Sequence, residues 1–285
     1  MHTTRTVAHI EAATTAQVGP MMVKRALPVR HLQQVDPFIF IDHMQPFEVE
    51  KGKDMGRIEP HPHAGFEVVT YMLEGKGFHR DSLGNEQVAG PGDINWMTSG
   101  KGIVHSEGAA AELIASGGRM SLMQVWINLP ADKKLLDPSF RYFENKNLPE
   151  IADDNSLVKV LIGTYKDAVS PVPVHTPMYY YHIKLKAGAV FTYDVQPEHT
   201  AGVYVMDGSL KILNHAADKG AIVVMNNDGD QVALKAVTDA ELIVFGGQPV
   251  NEEMVSYGPF VMNNADQVRE AIHRYQTGAM GTLEY

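Results

Sequence analysis

The sequence predicts an all-β chain: two antiparallel β-barrels in tandem, closed by one short C-terminal helix. Three observations carry that prediction. The stretch Phe66-Glu67-Val68-Val69-Thr70-Tyr71-Met72-Leu73 is rich in β-branched and aromatic residues and ends at the turn Glu74-Gly75-Lys76-Gly77. The same rhythm returns in the second half. Val203-Tyr204-Val205-Met206-Asp207-Gly208 echoes the run that ends at Glu74-Gly75, one residue shorter, and Asp228-Gly229-Asp230 echoes Pro91-Gly92-Asp93. Such self-similarity points to an internal duplication. Only the tail carries a helical period, with Val268, Ala271, Ile272 and Tyr275 on one stripe.

Taken in chain order, residues 1–18 alternate polar and apolar side chains and include Glu11, so they lack the apolar core of a signal peptide. No apolar run in the chain reaches membrane-spanning length. A cytoplasmic protein is expected.

The chemistry concentrates between Pro60 and Glu107. His61-Pro62-His63 and His105-Ser106-Glu107 are i, i+2 pairs, and such pairs share one face of a strand. Between them lie a strand, a turn, a second run, the turn Gly90-Pro91-Gly92-Asp93, a strand from Ile94 to Met97, and Ser99-Gly100-Lys101-Gly102. Two such pairs facing each other supply three imidazoles and one carboxylate, which leaves open positions on a metal that takes five or six ligands. With 13 His in the chain, one HxH pair means little alone, and His and Glu often alternate on solvated strands. The signal is the combination. Glu67, which has the strand parity of His61 and His63, is a competing carboxylate. The donor set suits one divalent first-row ion, with Mn, Ni, Cu, Co or Zn as well as Fe(II) compatible with it.

Phe66, Trp96, Met97, Met123 and Trp126 stand near the metal strands and are the expected substrate wall, with barrel core as their other reading. Lys101 and Arg80 either orient an anionic substrate or are solvated loop charges, and His79 and His43 are read as non-ligands. The chain divides, on this reading, into residues 1–136 with the metal site and residues 137–285 without one. The polar stretch 137–154 is the crossing. Counting beyond Gly229 by the distances that separate Gly92 from His105 and Glu107 lands on Leu242 and Val244, which are core types, and His199 is an imidazole without an HxH partner. In the tail Asn264 is the expected cap, Gln267 reaches back as in a capping box, and Gly278 ends the helix.

Composition narrows the function. The 24 Lys and Arg against 34 Asp and Glu give a formal net charge of −10, which argues against direct nucleic-acid binding through phosphate contacts. The absence of cysteine removes disulfides, thiolate ligands and Cys nucleophiles together.

The chain resembles the cupin superfamily, and within it the pirin family. The motifs are Asp36-Pro37-Phe38 with Asp42, HPHAGFE at 61–67, LEG at 73–75, PGD at 91–93, WMTSGKGIVHSE at 96–107, QVWINLP at 124–130, GPFVMN at 258–263 and YQTGAMG at 275–281. The resemblance implies a bicupin fold whose tail packs back on the first barrel. It implies iron held by His61, His63, His105 and Glu107, with Glu107 preferred over Glu67 as the carboxylate. It also implies quercetin 2,3-dioxygenase chemistry, in which a phenolic substrate meets dioxygen and Glu107 doubles as a base. The other role linked to pirin-like proteins is that of a metal-containing regulator binding a partner protein, as a transcription cofactor or a modulator of a metabolic enzyme.

Overall fold

The computed structural model describes residues 2–54 and 56–284, and these form two compact units. One comprises Thr15–Lys24, Phe40–Asn145 and the chain from Val250 on; the other comprises the chain up to Thr14, Arg25–Ile39 and Lys146–Pro249. Each unit is built around one four-stranded and one seven-stranded sheet, and the strand pairs of known register are antiparallel. The prediction of an all-β bicupin with one convincing helix holds; a second, six-residue helix spans Ala111–Ser116.

In the metal-site unit the small sheet runs Ile58–His63, Ile103–Ala109, Gly77–Asp81, Glu86–Ala89. The large sheet contains Ser139–Phe143, Ile94–Thr98, Phe66–Glu74 and Gly118–Asn128 in that order, then Phe38–Val49, Met21–Leu27 and Thr14–Val18. In the second unit the corresponding small sheet runs Val190–Asp194, Gln231–Ala236, Ser209–Ile212, His215–Asp218. Its interior is filled by Phe191, Tyr193, Tyr181, Val205, Leu234 and neighbouring apolar residues, all buried. Burying residues of this size contributes about 1.5–3 kcal/mol each, so this barrel has a packed core of its own.

The units are interleaved, which corrects the division at 136/137. Strand Val7–Ala12 pairs with Ala221–Met225 and so extends the large sheet of the second barrel. The physical reason is edge protection: an open strand edge is a hazard, and pairing with a chain terminus satisfies it. Arg5 reinforces this end. It is fully buried, and its guanidinium donates to the carbonyls of Gly229, His199, Gln196 and Pro197 and to Asn227 Oδ1.

The tail belongs with the metal barrel. Helix Ala265–Gln276 is capped by Asn264, whose side chain accepts from Gln267 N at 2.9 Å, while Gln267 Oε1 accepts from Asn263 N rather than from the cap residue itself. Val268 and Ala271 bury against Ala64 and Val104, which lie beside the ligand pairs, together with Phe260, Met262 and Met280; Tyr275 stays exposed. Among the described residues no helix is long and apolar enough to cross a membrane.

The duplication is real in topology, but the counting from Gly229 chose the wrong turn. The strand that corresponds to Ile103–Ala109 is Gln231–Ala236, not Ala240–Gly247. Pairing shows what replaced the ligands. Tyr193 lies opposite Val232 and Phe191 opposite Leu234, as His63 lies opposite Ile103 and His61 opposite His105. Phe191-Thr192-Tyr193 thus stands where His61-Pro62-His63 stands in the first barrel, and Leu234 stands for His105. Leu242 and Val244 are buried core residues of the large sheet.

Candidate metal centre

Strands Ile58–His63 and Ile103–Ala109 pair antiparallel, with His61 opposite His105. Alternation puts His61 and His63 on one face, and pairing brings His105 between them. The ring centroids lie 4.8 Å apart for His61–His63, 4.4 Å for His61–His105 and 4.8 Å for His63–His105. One ring nitrogen from each of the three falls within 4.8 Å of the others. His61 Nδ1 lies 2.7 Å from the carbonyl of Glu59, so the ring is protonated there and Nε2 keeps its lone pair. His63 and His105 are 2% and 1% exposed. Burial, helped by the neighbouring His61, holds both well below the usual imidazole range, so they are neutral near pH 7.

Three imidazoles at this spacing fit a cation. His63 Nδ1 and both ring nitrogens of His105 are buried and have no hydrogen-bond partner among the described residues. Buried polar atoms without partners are costly and rare, and a coordinated ion accounts for one nitrogen of each ring.

Glu107 is placed differently from the expectation. The register shifts between His105 and Glu107, and the Glu107 carboxylate groups with His105 and His79, within 4.8 Å, rather than with the full histidine triad. Its oxygens are held by other strands: Thr70 Oγ1 lies 2.9 Å from Oε1, and Gln124 Nε2 donates to Oε2 at 3.0 Å. Thr70 Oγ1 also lies 2.7 Å from Gln124 Oε1, which closes a ring of three contacts. The hydroxyl has one proton for two acceptors, so every contact in the ring has a donor only when a proton sits on Glu107.

His79, read as a bystander, belongs to this cluster. It sits opposite Glu107, its ring 5.4 Å from that of His105 and stacked on Phe140 at 4.3 Å. Its Nε2 meets Asp81 Oδ2 at 3.2 Å, and Asp81 is itself fixed by Asn85 and by Leu83 N. The signal was present, since His79-Arg80-Asp81 is another i, i+2 pair.

Sheet parity sorts the expected pocket residues. Thr70 touches Glu107, so Phe66 and Val68 share the site face, and Met97 joins them opposite Val68. Trp126 faces the site too: its ring lies 5.2 Å from His63, 4.5 Å from Phe66 and 4.3 Å from Phe40, on which it stacks. Its buried Nε1 has no partner among the described residues. Trp96 and Met123 are corrections. They pair with Val69 and Tyr71, on the opposite face of the sheet. Glu67 lies on that face as well, fully buried, with Oε1 accepting from Trp96 Nε1 at 2.9 Å and Thr98 Oγ1 at 3.0 Å. Its apparent parity with His63 fails because the turn at Ala64-Gly65 separates the two strands and resets the alternation. Lys101 forms a surface ion pair with Asp137, and Arg80 donates to the carbonyl of Glu284, so neither supplies a free cation to the site. His43 and His199 lie in neither cluster.

The turn that aims His63 is itself clamped. Gly65 has φ +90°, and a Cβ there would meet the carbonyl oxygen of Val261 at 1.9 Å, so only glycine fits. Lys134, wholly buried, donates to Gly65 O at 2.8 Å, Asn128 Oδ1 at 2.6 Å and Val261 O at 3.0 Å.

A small β-barrel with an HxH strand facing a third histidine, repeated in the same chain as a barrel that lacks those ligands, defines a cupin-type chain with one metal-competent barrel. Comparison with known proteins then gives the family. The Pirin family matches residues 20–127 and the Pirin C-terminal cupin domain matches residues 180–281. A pirin-like protein of Caulobacter vibrioides is 35% identical over 273 residues, covering 94% of this chain and 96% of the relative. A Pseudomonas aeruginosa protein whose name assigns it provisionally as a quercetin 2,3-dioxygenase is 30% identical over 260 residues, 88% of this chain and 91% of its own. The crystal structure of quercetin 2,3-dioxygenase from Acinetobacter baumannii superposes with a TM-score of 0.94 at 29% identity, covering 99% of this chain and all of that one. The chain belongs to the pirin family.

Proposed function

We propose that this protein is a metal-dependent dioxygenase of phenolic substrates, with quercetin or a related flavonol as the substrate class. The observation that carries the reading is the histidine triad, with buried ring nitrogens of His63 and His105 that have no partner among the described residues, set beside an aromatic wall of Phe66, Trp126 and Phe40. His61, His63 and His105 would hold one divalent ion, and rotation of the Glu107 side chain would bring its carboxylate in as the fourth ligand. Iron is the proposed metal, by family membership. When bound, such an ion supplies Lewis acidity toward a phenol oxygen and one-electron redox capacity toward dioxygen.

The chain's own residues do the rest. Phe66, Trp126 and Met97 present flat and polarizable surface to a planar ring. The partnerless Trp126 Nε1 is a donor for a substrate oxygen. Glu107 takes the proton of the substrate hydroxyl at Oε1, where Thr70 then accepts it as a hydrogen bond and passes its own hydrogen to Gln124 Oε1. The buried, neutral histidines keep their lone pairs through this step.

The test is oxygen uptake and carbon monoxide release on adding quercetin to protein loaded anaerobically with iron, with His63→Ala as control. Turnover that vanishes in the variant supports the reading. Iron bound at one equivalent without turnover would overturn it and favour a metal-containing regulator that binds a partner protein.

A further inference from the structure

The sheet wall that faces the histidines carries two buried polar atoms with no partner among the described residues. One is Asn95 Oδ1, on a side chain only 5% exposed. Pairing fixes where it points. Asn95 lies opposite Thr70 on one side and Tyr142 on the other, and Thr70 reaches Glu107, so all three share the site face. Phe140, two residues from Tyr142 on the same strand, stacks on His79 and confirms that facing. Neither flanking hydroxyl is directed at Asn95: that of Tyr142 lies 2.7 Å from Asp93 Oδ2, and that of Thr70 lies between Glu107 and Gln124. The second atom is Trp126 Nε1, a donor on a ring beside His63. The two are opposite in sense and far apart. Gln124, Thr70 and Asn95 form one row across three strands, and Trp126, Val68 and Met97 form the next row, two residues along. Two strand spacings across and two residues along separate Asn95 from Trp126 by about 12 Å. Val68 and Met97, both buried and apolar, lie in the row between.

We infer that Asn95 determines specificity: its Oδ1 accepts a hydrogen bond from a hydroxyl on the substrate ring farthest from the histidines, while Trp126 Nε1 donates to an oxygen near them. One phenol ring does not bridge that gap. A fused ring pair carrying a third, hydroxylated ring does. The site then selects flavonols with hydroxyls on the pendant ring over those without. This rests on the dioxygenase reading above and deepens it by narrowing the substrate class. The physical basis is the cost of an unserved acceptor. A ligand that lacks the hydroxyl leaves the Asn95 oxygen dry and unpaired, and a site built for a hydroxyl discriminates strongly against such a ligand.

The experiment is anaerobic titration of the iron-loaded protein with quercetin and with galangin, which lacks the pendant-ring hydroxyls, followed by flavonol absorbance. Wild type, Asn95→Leu and Trp126→Phe are compared. Wild type should bind quercetin about tenfold more tightly than galangin, the equivalent of one buried acceptor served or left unpaired. In Asn95→Leu the preference should vanish, chiefly through weaker quercetin binding. Trp126→Phe should weaken both flavonols and keep their ratio. The Tm of ligand-free Asn95→Leu should equal or exceed that of wild type, because an unserved acceptor has been removed. Equal binding of the two flavonols by wild type would overturn the inference. So would an unchanged preference in Asn95→Leu, and a lower Tm beside it would mark the amide as structural. Should that variant fail to fold, Asn95→Ala gives the same comparison without added bulk. Failure of the dioxygenase reading looks different: neither flavonol binds wild type that holds one equivalent of iron.

Discussion

Two glutamate environments in one barrel, one buried and one half-buried, lead to opposite expectations. Glu67 serves Trp96 and Thr98 across the sheet, while Glu107 reaches the histidines. Replacing Glu67 by Leu strands the indole N–H and the threonine hydroxyl in a dry interior, at about 1–3 kcal/mol for each unsatisfied group. The expected outcome is a loss of about 2–5 kcal/mol in urea unfolding, with metal content by elemental analysis unchanged; loss of metal at unchanged stability would contradict it. The histidines set an acid limit. Their folded-state values lie well below 6.5 because of burial, whereas the unfolded imidazoles protonate near 6.5. Below that pH the unfolded state binds more protons than the native one, so metal-free protein loses stability as pH falls, by up to about 1.4 kcal/mol per pH unit for each group. Above pH 6.5 the effect is absent. Urea unfolding of metal-free wild type and His105→Leu between pH 7 and 5 checks this, and the wild type should fall more steeply.

At the scale of elements, the ligand strand and the C-terminal segment are joined by one buried cation. Burial pushes the Lys134 ammonium down to about 8, opposed by Glu252, from an ordinary value of 10.5. Between pH 8 and 10.5 the unfolded chain keeps the proton that the folded chain has released, so this group's contribution to stability rises with pH across that window and is constant below it. The full change is on the order of 3 kcal/mol. Lys134→Met lacks it, so the stability difference between wild type and variant, from urea unfolding at pH 8 and at pH 10, should widen in favour of the wild type. Elements also explain what the sequence left unread. The HxH and HxE pairs, the turns and the helix stripe are local patterns with periods of 2 and 3.6, and they are legible in one dimension. Trp96 and Met123 were misassigned to the pocket because their facing depends on which strands pair and in what register. Thr70 carried no motif that sets it apart from ordinary strand residues, and although His79 stands in an i, i+2 pair with Asp81 and Gln124 opens a family motif, only pairing brings the three to Glu107 and His105.

Across the whole molecule, the interleaving of segments makes a sharp prediction. Residues 2–12 contribute strand Val7–Ala12 and the Arg5 clamp to the second barrel, and none of the metal-site side chains. Deleting them exposes the edge of Ala221–Met225 and frees the carbonyls that Arg5 holds. A drop in Tm of about 10 °C or more is expected, given about 2–4 °C per kcal/mol in a chain of this size. Differential scanning calorimetry reads it, and unaltered Tm would show that the edge needs no cover.

The sequence by itself determined the repeat of β runs and turns, the capped terminal helix, the three histidines and the family. These follow from short-range geometry: strand alternation, glycine turns and helical spacing act over a few residues. Only the tertiary structure decided that the first strand completes the second barrel and that Glu107 sits in a cradle of Thr70 and Gln124. Those outcomes depend on strand pairing between residues far apart in the chain. One turn, Ala64-Gly65, was enough to send Glu67 to one face of the sheet while Phe66 stayed beside His63 on the other.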